Sequence, residues 1–172
     1  MAVIIPDALK TDLTWQEESR GVKKQIGGVV PSRPWGGPWS PALYVSNTKR
    51  SYPDCKVILS HAGGTLPFLI TRICTVSKEA AATARIYGKS SEEIMEDFRS
   101  FYFDLALSSS EAVLKLVLDV IPHDHITYGS DFPYASPDKS LGFKQILDGF
   151  PLDPELRDKI YFGNANNLFN KP

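Results

Sequence analysis

The sequence has no apolar run near the ~20 residues a membrane-spanning helix needs. Its amino terminus, MAVIIPDALKTD, offers neither a basic leader nor an apolar stretch long enough for a signal peptide. Charge of one sign is missing as well. The 19 Lys and Arg against 20 Asp and Glu leave no electrostatic footprint for nucleic acid or an anionic bilayer. Two cysteines, Cys55 and Cys74, stand at no metal-like or disulfide-like spacing, so a reduced compartment is the default. These absences together predict a cytoplasmic protein with no nucleic-acid and no membrane partner. Histidine is scarce too: His61, His123 and His125 are all there are, with none in residues 1–60.

What is present is ordinary globular material, 42% apolar and 23% charged, enough for one core. Two stretches differ in texture. Residues 1–47 hold turn and breaker signals (Gly27-Gly28, Pro31, Pro34, Gly36-Gly37, Pro38, Pro41) and three tryptophans, Trp15, Trp35 and Trp39. They read as an irregular N-terminal segment, partly non-native, of which some packs against the rest. Residues 48–172 alternate strands with helices. Val57-Ile58-Leu59 predicts a strand, and Thr65-Leu66-Pro67 opens a helix with proline in its first turn. Ser90–Glu93 is a capping box, and Phe101 to Leu107 a second strand. Ser108–Glu111 reads as another capping box, ahead of a helix with Ala112, Val113, Leu116, Val117 and Val120 on one face. Ile126-Thr127-Tyr128 is the third strand. Helices follow around Ser140–Leu147, from Asp153-Pro154-Glu155, and from Asn164.

The order is β-α-β-α-β-α with wholly apolar strands, the pattern of a parallel sheet covered on both faces. It belongs either to an open doubly wound sheet or to part of a (β/α) barrel. Three strands cannot close a barrel, since a complete one takes about 250 residues. Reactive side chains of such folds sit at the C-terminal ends of strands. His61, Asp104 and Asp131 fall at or near those ends, as candidate metal ligands or an acid/base pair. Each could equally cap the turn that follows it.

Four segments in order carry a resemblance. They are Ser60-His61-Ala62-Gly63-Gly64-Thr65-Leu66-Pro67-Phe68, Phe103-Asp104-Leu105-Ala106, Tyr128-Gly129-Ser130-Asp131-Phe132-Pro133-Tyr134 and Gly163-Asn164-Ala165-Asn166-Asn167-Leu168-Phe169. Over about residues 48–170 the chain resembles the C-terminal part of the amidohydrolase-related family of metal-dependent barrel decarboxylases and hydrolases. The resemblance implies an incomplete (β/α) TIM-type barrel, strands 6–8 with their helices. It implies Asp131 as a metal ligand for Zn or Mn, His61 as the catalytic acid/base, and Phe132 as a substrate contact. The expected function is metal-dependent decarboxylation of a small aromatic or related carboxylic acid of the 6-methylsalicylate kind. Hydrolysis by the same family, or an inactive fragment or interaction module, are the alternatives. The family carries an H-x-H pair on its first strand and a ligand histidine on its fifth, and this sequence has no counterpart. A truncated chain, binding no ion by itself, is therefore the expectation, with self-association or a homo-oligomer formed through unpaired sheet edges. His123-Asp124-His125 is also H-x-H, but six residues at about 3.3 Å each put it roughly 20 Å from Asp131. It is expected in a loop at the opposite end.

Overall fold

A computed structural model describes residues 48–74 and 88–169. The irregular segment 1–47, with its three tryptophans, lies outside the described residues.

The three expected strands are present and run parallel, in the order β1-β2-β3: β1 Ile58–Leu59, β2 Tyr102–Asp104 and β3 Ile126–Thr127. Register aligns Leu59 with Phe103, Phe103 with Ile126, and Asp104 with Thr127. Helix α1 covers Thr48–Ser51, α2 Leu66–Cys74, α3 Ser91–Arg99 and α4 Glu111–Val120. Helix α5 covers Pro137–Gly149 and α6 Pro154–Asp158; a π-helical turn, Lys159–Gly163, leads into α7, Asn164–Phe169. Every crossover between parallel strands carries helix, as the α/β reading requires. No helix among the described residues is long and apolar enough to cross a membrane.

The core gathers from strands and helices alike. Phe103 in β2 is fully buried and its ring meets that of Phe98, on α3, at 5.3 Å between centroids. Ile70 of α2, Ile94 of α3, Leu114 and Val117 of α4, Ile126 of β3 and Leu147 of α5 complete one continuous cluster.

One helix start agrees with the sequence expectation and two differ from it. The Ser90 capping box forms in full: Glu93 N–H donates to Ser90 Oγ, and Ser90 N–H to the Glu93 carboxylate. The second expected box does not form. Helix α4 begins two residues later than Ser108 implies, with Ser110 as its N-cap and no side-chain cap bond. Helix α5 begins at Pro137, ahead of the expected Ser140, because Ser136 caps it and proline fits the first turn.

The outer edge of β3 is partly covered by the chain itself. Leu105 N–H donates to Thr127 O, so Thr127 faces β2 and its neighbours face away. Two of those outward groups are bonded: Tyr128 N–H donates to Ile160 O, and Asn164 Nδ2 to Ile126 O. Asn164 therefore acts as a clamp from the C-terminal segment onto β3 rather than as the helix cap the sequence suggested. On this side the edge expected to be open is partly occupied, at Tyr128 N–H and Ile126 O.

Gly63 is required twice over. Its φ is +74°, and a β-carbon there would stand 2.9 Å from Phe103 Cε1. Gly63→Ala is expected to cost about 2 kcal/mol or more, combining left-handed strain with overpacking of a fixed ring. Urea denaturation should show a lower midpoint at unchanged slope.

Candidate active site

The C-terminal ends of all three strands turn through left-handed backbone at residues other than glycine. His61 has φ 57°, Leu107 φ 50° and Asp131 φ 62°, and Ala62 beside His61 has φ 55°. Such conformations disfavour a side chain and persist only where surrounding structure enforces them. The strain converges on one rim, where it brings His61 to Asp131.

His61 Nε2 lies 3.8 Å from Asp131 Oδ1, and both side chains are largely but not wholly buried. The opposite ring nitrogen, Nδ1, is 2.9 Å from the carbonyl oxygen of Ala106. A carbonyl only accepts, so Nδ1 carries hydrogen and Nε2 is the nitrogen left to exchange a proton on the rim. The His61 main chain is held as well: its N–H donates to Asp104 Oδ1 at 3.0 Å. Gly129 leaves the room for this, since a β-carbon there would lie 3.2 Å from Asp104 Cβ and Cγ and from Ala106 Cβ.

Asp131 is set by the loop after β3. Its carbonyl accepts the N–H of Tyr134 at 2.8 Å and of Ala135 at 2.9 Å. Phe132, next in sequence, points outward and is 80% exposed, as is Tyr134 at 85%; Phe68, at the start of α2, is 72% exposed. The Phe132–Pro133 peptide bond is cis. Asp104 and Asp131, named from the sequence with His61, are thus both within this arrangement. The Ala106 carbonyl was not named, and main-chain groups leave no composition signal by which it could be.

His123 and His125 are at the other end. His125 Nδ1 lies 3.0 Å from the carbonyl of Phe101, the residue just before β2, and its ring stacks on Tyr102 at 4.3 Å. His123 Nε2 is 3.1 Å from Leu118 O. Neither faces Asp131, in keeping with the distance argument from sequence.

The fit to a metal ion is partial. The rim offers two donors, Asp131 Oδ1 and His61 Nε2. No cluster of three or more His, Cys, Asp or Glu side chains able to hold an ion occurs among the described residues. A catalytic zinc site commonly takes three protein ligands. These residues by themselves do not make one.

Comparison with known proteins places the chain in a family. The family profile described as Amidohydrolase matches residues 37–171. A 6-methylsalicylic acid decarboxylase of Penicillium expansum is 42% identical over 127 residues, 74% of this chain and 38% of that protein. Decarboxylase yanB of Aspergillus niger is 39% identical over 131 residues, 74% of this chain and 34% of that protein. This chain therefore spans less than two-fifths of the length of either relative. Among solved structures, a dihydroxybenzoic acid decarboxylase from a Polaromonas species, crystallised with manganese and the inhibitor 2-nitroresorcinol, superposes with a TM-score of 0.62 at 26% identity. That superposition covers 77% of this chain and 39% of the other.

Proposed function

Because this chain belongs to the amidohydrolase family, we propose that it forms the acid/base side of a decarboxylase active site acting on a small aromatic carboxylic acid. Residues 48–172 are read as strands 6–8 of a (β/α) barrel with their helices, and the remaining strands as lying outside this chain. The observation that carries the reading is the approach of His61 Nε2 to Asp131 Oδ1, 3.8 Å apart at the C-terminal ends of parallel strands. The 6-methylsalicylic acid and dihydroxybenzoic acid decarboxylases among its relatives favour a hydroxylated benzoate as substrate.

Loss of carbon dioxide from an aryl carboxylate breaks the ring-carbon–carboxyl bond and puts a proton on that carbon. His61 supplies the proton from Nε2, while its Nδ1–H stays on the Ala106 carbonyl and holds the ring's direction. Asp131 offsets the positive charge that the imidazole carries before transfer. Phe132 offers an aromatic face to the substrate at the exposed rim. A bound Zn²⁺ or Mn²⁺, with Asp131 among its ligands, would supply Lewis-acid polarisation of the substrate oxygens. Burial pushes the Cys55 thiol up from its ordinary value and the Cys74 thiol up to about 11. Two poorly ionised thiols suit the reducing cytoplasm proposed for the protein.

The donor set sets the test. With Asp131 the one ligand assigned here, the purified chain is expected to hold no stoichiometric Zn²⁺ or Mn²⁺ and to leave 6-methylsalicylate unconverted. A chimera should bind metal and turn the acid over: the Penicillium expansum decarboxylase with the segment that matches this chain replaced by it. Metal analysis and a carbon dioxide release assay on the two proteins decide the matter. Full turnover by the isolated chain would refute the placement of the site.

A further inference from the structure

The Asp104 carboxylate has no part in the chemistry described above, yet it touches both supports of the His61 ring. The geometry points to Asp104 as the positioning residue that fixes which nitrogen of His61 carries hydrogen and where the other one aims.

Asp104 ends β2, beside the end of β1. A single oxygen, Oδ1, accepts two main-chain hydrogens: His61 N–H at 3.0 Å and Ala106 N–H at 3.0 Å. Bonds to an ionised acceptor are stronger than neutral ones. The first bond holds the His61 backbone at φ 57°, from which the imidazole projects. The second holds Ala106, whose carbonyl takes the Nδ1 hydrogen of that imidazole at 2.9 Å. One carboxylate oxygen thus fixes the ring at its root and at its hydrogen-bonded side, leaving Nε2 directed at Asp131. Gly129 keeps the space, because a β-carbon at 3.2 Å from Asp104 Cγ would press on the carboxyl group. An aspartate serving the fold alone would have no bearing on the imidazole's tautomer.

The test uses the full chain labelled with 15N-histidine, in mildly alkaline buffer, and reads the ring nitrogen shifts. Three histidines give three patterns. His61 and His125 should carry hydrogen on Nδ1, facing Ala106 O and Phe101 O, and His123 on Nε2, facing Leu118 O. In Asp104→Ala the His61 pattern should shift toward the mixed tautomers of an unrestrained ring, with His123 and His125 unchanged as reporters of the fold. Asp104→Asn keeps an acceptor oxygen and should restore the wild-type pattern. If Asp104→Ala does not fold, Asp104→Val, better suited to a strand and equally without an acceptor, makes the same comparison.

The proposal deepens the reading of His61 as proton carrier, and the spectrum separates the two because it needs no turnover. In the chimera, Asp104→Ala should lower kcat about tenfold or more with KM little changed, as misdirection of a proton donor does. A moved spectrum with unchanged kcat counts against His61 as the carrier. Hydrogen on Nε2 of His61 in the wild-type chain, or an unmoved His61 pattern in a folded Asp104→Ala or Asp104→Val chain, overturns the role of Asp104.

Discussion

His61→Ala, made in the chimera, is expected to lower kcat for 6-methylsalicylate by about 10²–10⁴-fold, the range for losing a positioned proton donor. The KM should change far less, because Nε2 acts on the carbon that loses carbon dioxide and not on the groups that hold the acid. His125→Ala is the matched control. Its ring lies against Tyr102 and the Phe101 carbonyl, at the end of the sheet away from Asp131. It should leave kcat within about twofold, as a substitution remote from the chemistry does. Equal losses from both variants would show that histidine content, and not the His61 position, governs the activity.

The second large effect is on stability. Lys89 and Asp97 are buried, 4% and 5% exposed, and Lys89 Nζ donates to Asp97 Oδ2. Arg50 of α1 reaches the same carboxylate, Nε to Oδ1 at 3.0 Å, and extends to Glu96 at 3.2 Å on the exposed side. This group ties α1 and the residues before α3 to one point. Removing one partner of a buried pair leaves the other charge in a poorly solvating place. Asp97→Ala is expected to cost about 3–5 kcal/mol on that ground. The double variant Lys89→Met/Asp97→Leu should recover most of the loss, since apolar replacement of a whole buried pair is often near neutral. Denaturant titrations of the two variants check both statements. An Asp97→Ala chain as stable as the wild type would show that the Lys89 ammonium reaches water once the carboxylate is gone.

What could be read from the sequence followed local rules. The apolar runs before Ser60, at Phe101 and at Ile126 located the strands, because buried parallel strands need no alternation. The strand-end rule then put His61 and Asp131 on one rim and the His123-His125 pair on the other. Rules failed where a local pattern had a competitor. Ser108 and Ser110 both precede Glu111 closely, and spacing to the acidic residue favoured the wrong serine. Ser136-Pro137 was a start signal for α5 that went unread, since the helix has only Leu147 fully buried and little apolar periodicity. Contacts distant in sequence left no trace. Nothing in Asn164 as a residue type shows that it will bond Ile126, 38 positions away, and nothing in Asp104 shows that it will hold His61, 43 positions away. An acidic residue in an otherwise apolar strand was the one available hint for Asp104.

Decarboxylation of a hydroxylated benzoate is the activity proposed for the rim built by His61 and Asp131. Turnover of 6-methylsalicylate to carbon dioxide and 3-methylphenol by the chimera, with and without Asp131→Ala, tests it most directly. The account predicts turnover in the chimera and its loss, by about 10³-fold or more, in Asp131→Ala, together with loss of bound metal. A folded, metal-loaded chimera without turnover, or turnover that survives Asp131→Ala, would contradict it.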